Sequence, residues 1–130
     1  MIAADTSTWI AFLEGSHGED TQLLDKALQD RQVLMVPVVL TELLSDPKLP
    51  SQVAEVLSEV PMIEIGPGYW QRAGWLRSQV IEMRRKARLG DALIAQICID
   101  RDVPLLTRDR DFRAFAGAAG LDLLPAKGTD

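Results

Sequence analysis

The sequence predicts an α/β domain built on a short, mainly parallel central sheet covered by helices. Three observations carry that expectation. Brief apolar runs at residues 1–4, 33–36 and 103–106 are too short for helices and suit strands buried within a sheet. Longer segments with apolar residues at helical spacing separate them. At both Asp5 and Asp109 an acid follows an apolar run and precedes a helical pattern, so strand, acid and helix recur. At 130 residues and 47% hydrophobic content, with no internal boundary, one domain over residues 1–130 is expected.

In chain order, residues 1–4 form the first strand, Asp5 ends it, and residues 6–14 follow as a short helix closed by Gly15. Residues 16–20 make a polar turn. Leu23, Leu24, Ala27 and Leu28 give the next helix an apolar stripe, with Asp25, Lys26, Gln29 and Asp30 facing water. Residues 33–36 form the second strand. Pro37 fits the first turn of a helix, where its missing N–H is no loss, and Val38, Val39, Leu40, Leu43 and Leu44 continue it until Asp46 and Pro47. Residues 51–60 read as an amphipathic helix ending at Pro61, and 62–65 as an edge strand.

Gly66, Pro67 and Gly68 break the pattern before a long helix over 69–86. Leu93, Ile94, Ile97 and Cys98 recur at helical spacing, which predicts a helix over 90–102 opening at Asp91 after a turn at Gly90. A strand at 103–106, a helix at 111–119 and a strand at 121–124 complete the pattern. The tail from residue 126 is expected to be disordered.

No uncharged run reaches the length of a bilayer span, and no basic segment precedes the first apolar run, which Asp5 interrupts. Neither a membrane span nor a signal peptide is expected, and the cytoplasm is the default location. Cys98 is the single cysteine and stands among isoleucines, as a buried, inert thiol does.

The chemical question is whether Asp5, Glu42, Asp91 and Asp109 form one site. Asp is a favoured helix N-cap, and that role alone accounts for Asp5, Asp91 and Asp109, each of which stands before a helix. Glu42 resists this explanation, because it lies within a helix on the side of Val38 and Val39, and a carboxylate facing a core needs a partner. His17 is alone in a polar turn, so no zinc set is available. Clustered carboxylates without His or Cys suit a hard cation, Mg2+ or Mn2+, and hydrolysis of a phosphate ester by metal-activated water is the natural chemistry.

Charge offers a second clue. The calculated pI is near 4.8, which is unusual for a nucleic-acid binder. Yet Arg77, Arg84, Arg85, Lys86 and Arg88 cluster just before Asp91, where they form either a phosphate-contacting segment or a solvated helix face. Trp9, Trp70 and Trp75 are available to stack bases, although their apolar neighbours favour core or dimer packing.

These residues, in this order, resemble the PIN-domain ribonucleases, in particular the VapC-type toxins of bacterial and archaeal toxin–antitoxin pairs. The stretches that carry the resemblance are Asp5-Thr6-Ser7 after a strand, Glu42 in an apolar helix, Gly90-Asp91-Ala92-Leu93-Ile94-Ala95, and the run from Leu105 through Thr107, Arg108, Asp109, Arg110 and Asp111 to Phe112. The last two together are the more specific. The resemblance implies a PIN-like three-layer fold and a metal-dependent endoribonuclease in which Asp5, Glu42, Asp91 and Asp109 hold one or two Mg2+ or Mn2+ ions. Thr107 and Ser7 would support them. Asp111 competes with Asp109 for the fourth position, and Asp109 is favoured. If RNA is the substrate, Arg84, Arg85, Lys86 and Arg88 of the basic cluster are the candidate contacts, a solvated helix face being the alternative. The resemblance also implies a homodimer restrained by a small antitoxin.

Two rival functions remain open. A haloacid-dehalogenase-type phosphatase also uses an acid after its first strand, but it requires a second Asp where this chain has Ser7. A non-catalytic PIN-like domain that binds RNA or protein is the other, disfavoured by the presence of all four acids.

Overall fold

The centre of the molecule is β1 (Ile2–Ala4), whose Ala3 and Ala4 are wholly buried. The structure, a computed structural model, describes residues 1–125, so the tail expected from residue 126 lies outside the described residues. β2 (Val33–Leu34), β3 (Leu105–Leu106) and β4 (Leu123–Leu124) join β1 in a four-stranded parallel sheet of order β2-β1-β3-β4. Ala3 pairs with Leu34 on one side and Leu105 on the other, and small side chains suit this doubly flanked strand.

Parallel strands require crossovers, and here each is helical. α1 (Thr6–Leu13) and α2 (Glu19–Gln29) lead from β1 to β2. α3 (Pro37–Leu44), α4 (Ser51–Glu59), α5 (Tyr69–Glu82) and α6 (Leu89–Arg101) lead to β3, and α7 (Phe112–Ala119) to β4. Strand order therefore runs outward in opposite directions from the β1–β3 pair. In open parallel sheets that reversal opens a crevice beyond the carboxyl ends of the two strands. Leu24, Met35, Val39, Leu57, Val80 and Phe115 form the apolar filling contributed by the surrounding elements.

The α/β class and the covered parallel sheet agree with the sequence expectation, while several boundaries do not. The strands expected at 33–36, 103–106 and 121–124 shrink to two residues each. The edge strand expected at 62–65 is a single parallel bridge between Met35 and Met62.

The helix expected over 69–86 stops at Glu82. Arg84 turns left-handed, with φ of 57°, and the amides of Arg84 and Arg85 bond back to the carbonyls of Ile81 and Val80 at 2.9 and 3.2 Å. This Schellman closure satisfies carbonyls that the helix end leaves free. Arg84, Arg85, Lys86 and Arg88 consequently stand on a connecting loop, exposed, rather than on a helix face.

Tight polar contacts fix α5 against α6. Arg72 makes a two-pronged bond to Asp100 at 3.0 and 2.7 Å, and the Tyr69 hydroxyl donates to the Leu93 carbonyl at 2.6 Å. Cys98 is buried and its thiol is pushed up to about 12 by desolvation. Trp9 is in the core, whereas Trp70 and Trp75 are 62% and 68% exposed, so of the core or dimer packing expected for the three, the core role holds for Trp9. Among the described residues, no helix is long and apolar enough to cross a membrane.

Candidate metal centre

Asp5 leaves β1 at the crevice and caps α1, its Oδ1 accepting from the Thr8 amide at 3.0 Å. The Ser7 hydroxyl donates to the same carboxylate, 2.8 Å from Oδ1 and 2.9 Å from Oδ2, and the Thr107 hydroxyl donates to Oδ2 at 2.6 Å. One hydroxyl carries one proton, so three protons serve about four lone-pair positions and leave the carboxylate room for a further contact. Burial pushes the Asp5 carboxyl above its ordinary value, while bonds from Thr107, Thr8 and Ser7 oppose the rise.

Thr107 follows β3 and links the two strand ends. Besides donating to Asp5, its oxygen accepts from the Asp109 amide at 2.9 Å. Asp109 Oδ1 in turn accepts from the Asp111 amide at 2.9 Å. Asp109 therefore caps a turn and not α7 itself, which begins at Phe112 with Asp111 in the cap position.

Asp91 is likewise not the cap expected of it. Arg88, in extended conformation, occupies that position, and Asp91 lies in the first turn of α6. From there it converges on the β3 turn. Asp91, Asp109 and Asp111 each present a carboxylate oxygen, all within 4.8 Å of one another. Asp91 Oδ2 is buried with no hydrogen-bond partner. Burial first, and then the charge of Asp109, push the Asp91 carboxyl up to about 6, against the pull of Arg88.

Glu42 is exposed, which corrects the expectation that it faces the core. Val39 and Leu43 hold the buried face of α3, and Glu42 falls on the rim shared with half-buried Val38. Its Oε1 accepts from the Thr6 hydroxyl at 2.7 Å. A Cβ at Gly90 would stand 3.9 Å from Oε2, so Glu42 overhangs the start of α6 without joining the three converging acids.

Of the basic loop, Lys86 reaches the acids, with Nζ 3.5 Å from Asp111 Oδ2. Sequence reasoning passed over Asp20 and Arg108, which form a bidentate ion pair beside the site. Arg108 lay in plain view between Thr107 and Asp109. Asp20, 88 positions away, carried no periodic signal.

The donors are all oxygen, with no His or Cys among them, and a buried carboxylate oxygen without a partner is stabilised by a cation. The arrangement thus fits a hard divalent ion better than zinc. A parallel α/β fold with carboxylates gathered beyond its two central strands defines a class of acid-lined metal-site domains. The PIN domain family matches residues 2–118, and the chain belongs to that family.

Ribonuclease VapC5 of Mycobacterium tuberculosis is 25% identical over 126 residues, covering 92% of this chain and 91% of the relative. The structure of VapBC-5, a toxin–antitoxin system of the same organism, superposes with a TM-score of 0.68 at 22% identity, covering 96% and 98% of the two chains. VapBC2 of Rickettsia felis, bound to a promoter DNA fragment, gives 0.71 at 22% identity, covering 95% and 97%. Both structures share the fold of this chain.

Proposed function

We propose that this protein is a Mg2+- or Mn2+-dependent endoribonuclease, the toxin of a toxin–antitoxin pair, in which Asp91 and Asp109 are the converging metal ligands and Asp5 and Glu42, which lie outside the converging triplet, complete the set when the ion binds. The observation that carries this reading is the buried, unpartnered Oδ2 of Asp91, whose carboxylate converges with those of Asp109 and Asp111. The ribonuclease name of the mycobacterial relative and the toxin–antitoxin descriptions of the structural neighbours support RNA as substrate and an antitoxin as partner.

A bound divalent cation at this place supplies a water of lowered pKa and neutralises charge on the phosphodiester. The chain's own residues do the rest. Asp91 and Asp109 converge as ligands, and Thr107 holds Asp5 and the Asp109 turn in one frame. Thr6 orients Glu42, and Ser7 steadies Asp5. Asp111 stands next to the ligands and draws Lys86 to the rim, where Arg84, Arg85 and Arg88 add positive charge for the RNA backbone. The exposed Trp70 and Trp75 on α5 suit pairing with a second copy.

A phosphatase of the haloacid-dehalogenase type fits less well. Ser7 stands where that chemistry needs a second acid, and its hydroxyl donates to Asp5. Incubation of purified protein with single-stranded RNA tests the proposal. Cleavage is expected with Mg2+ or Mn2+ and should stop in excess EDTA. Undiminished cleavage in EDTA overturns the metal-dependent mechanism, and metal binding with no cleavage favours the non-catalytic alternative.

A further inference from the structure

The strand-end segments that carry the candidate ligands are tied together by a charged pair outside the acidic cluster. Asp20, in the first turn of α2, is 5% exposed. It accepts from Arg108 Nε and Nη2, both at 2.8 Å, in a fork that fixes the distance and plane of the guanidinium. Its Oδ2 also accepts from the Thr8 hydroxyl at 2.9 Å, and the Thr8 amide is the one that bonds Asp5. Arg108 lies between Thr107, which bonds Asp5, and Asp109, whose amide bonds Thr107. The pair thus closes a second loop of contacts, from the β3 turn through α2 and back to the β1 turn, parallel to the direct Thr107–Asp5 bond.

The space around the pair is restricted. A Cβ at Gly18 would stand 2.6 Å from Asp20 Oδ1 and 2.9 Å from Arg108 Nη2, so glycine leaves the pair room. Burying one charge of a pair contributes little net stability, because desolvation offsets attraction. Its clearer effect is geometric, since it removes freedom from a short turn whose other side-chain link to Asp5 is Thr107.

We propose that Asp20 and Arg108 are a positioning pair that holds Asp109 in register with Asp5, and so sets how tightly the site takes a divalent cation. This rests on the metal-site assignment made under Proposed function. Partners that orient metal ligands typically change affinity about ten- to a hundredfold when removed.

The test is calorimetric titration of the metal-free full chain with Mn2+, well below the melting temperature. The proteins compared are the parent, Asp20→Asn, Arg108→Gln, the double variant and Asp91→Asn. Amide spectra of Thr107 and Asp109 are recorded alongside. Each pair variant should bind Mn2+ about ten- to a hundredfold more weakly while keeping a cooperative melting transition, and the double variant should be no worse than the poorer single. The Thr107 and Asp109 amides should shift even without metal.

Arg108→Lys keeps a charge for Asp20 but loses the fork, so it serves if Arg108→Gln does not fold, and a loss of about tenfold is expected. Parental Mn2+ affinity in folded pair variants, whatever their melting temperatures, overturns the positioning role. Parental affinity in Asp91→Asn overturns the metal site itself, and loss in Asp91→Asn alone leaves that site standing without the pair.

Discussion

Replacing Asp91 with Asn should stabilise the metal-free protein at pH 8, although it deletes a residue placed at the centre of the site. Burial and Asp109 raise the Asp91 carboxyl from 3.8 to about 6. At about 1.4 kcal/mol per pH unit, discounted for the solvent screening of a half-buried group, that rise corresponds to roughly 2 kcal/mol held against the folded state whenever Asp91 is ionised. Because the folded pKa lies above the unfolded one, the native state takes up the proton more readily. The penalty is absent below about pH 4, grows as the pH rises to about 6, and is full at pH 8.

Asn removes the ionised form and sacrifices only the attraction of a charge in the first turn of α6 for the helix dipole, up to about 1 kcal/mol. A net gain of about 1 kcal/mol, or roughly 3–5 °C in a chain of this size, is expected in EDTA at pH 8. It should shrink to near zero at pH 4. With Mn2+ at a hundred times the parental Kd the order should invert, since the parent alone gains about 2.7 kcal/mol. Scanning calorimetry of both proteins at the two pH values, with and without Mn2+, measures each quantity. An Asn variant no more stable than the parent at pH 8, or one with the same advantage at pH 4, would refute the claim that the Asp91 carboxylate is held in conflict.

Changing Arg84, Arg85, Lys86 and Arg88 together to Gln should weaken RNA binding and reduce the slope of log affinity against log salt by up to about 3, leaving Mn2+ affinity near the parent's. Filter binding of an uncleaved RNA across a salt series decides it, a parental slope excluding this loop from the RNA interface. Thr107→Val should cost about 1–3 kcal/mol in urea unfolding, because Asp5 Oδ2 and the Asp109 amide both lose a partner. It should also weaken Mn2+ binding, and an unchanged unfolding midpoint would show that Thr107 does not hold the two strand ends.

What the sequence reveals of this site follows the range of each interaction. Asp5 is readable because its two signals are local, an apolar run before it and a cap bond to Thr8 three residues on. Asp91 falls in the right segment for the wrong reason. Arg88 takes the extended cap conformation, so the helix begins at Leu89 and carries Asp91 inside its first turn. The end of α5 is hard to read because its left-handed turn falls on Arg84 instead of on glycine, and nothing in that side chain announces the reversal. The exposure of Glu42 depends on which side of α3 the neighbouring helices cover. The Asp20–Arg108 pair spans 88 positions and belongs wholly to the folded chain.

The adjacency of β1 and β3 has a consequence for the protein's birth on the ribosome. The hydroxyl that steadies Asp5 is made 102 positions after it. Until β3 and its turn emerge, β1 lacks one of its two neighbours, Asp5 lacks Thr107, and Asp91 has no acid at 109 to meet. Pairing between such distant segments closes late. A nascent chain halted anywhere before residue 107 therefore carries only scattered acids. Synthesis from one end therefore leaves the acids unassembled until the turn after β3 has been made.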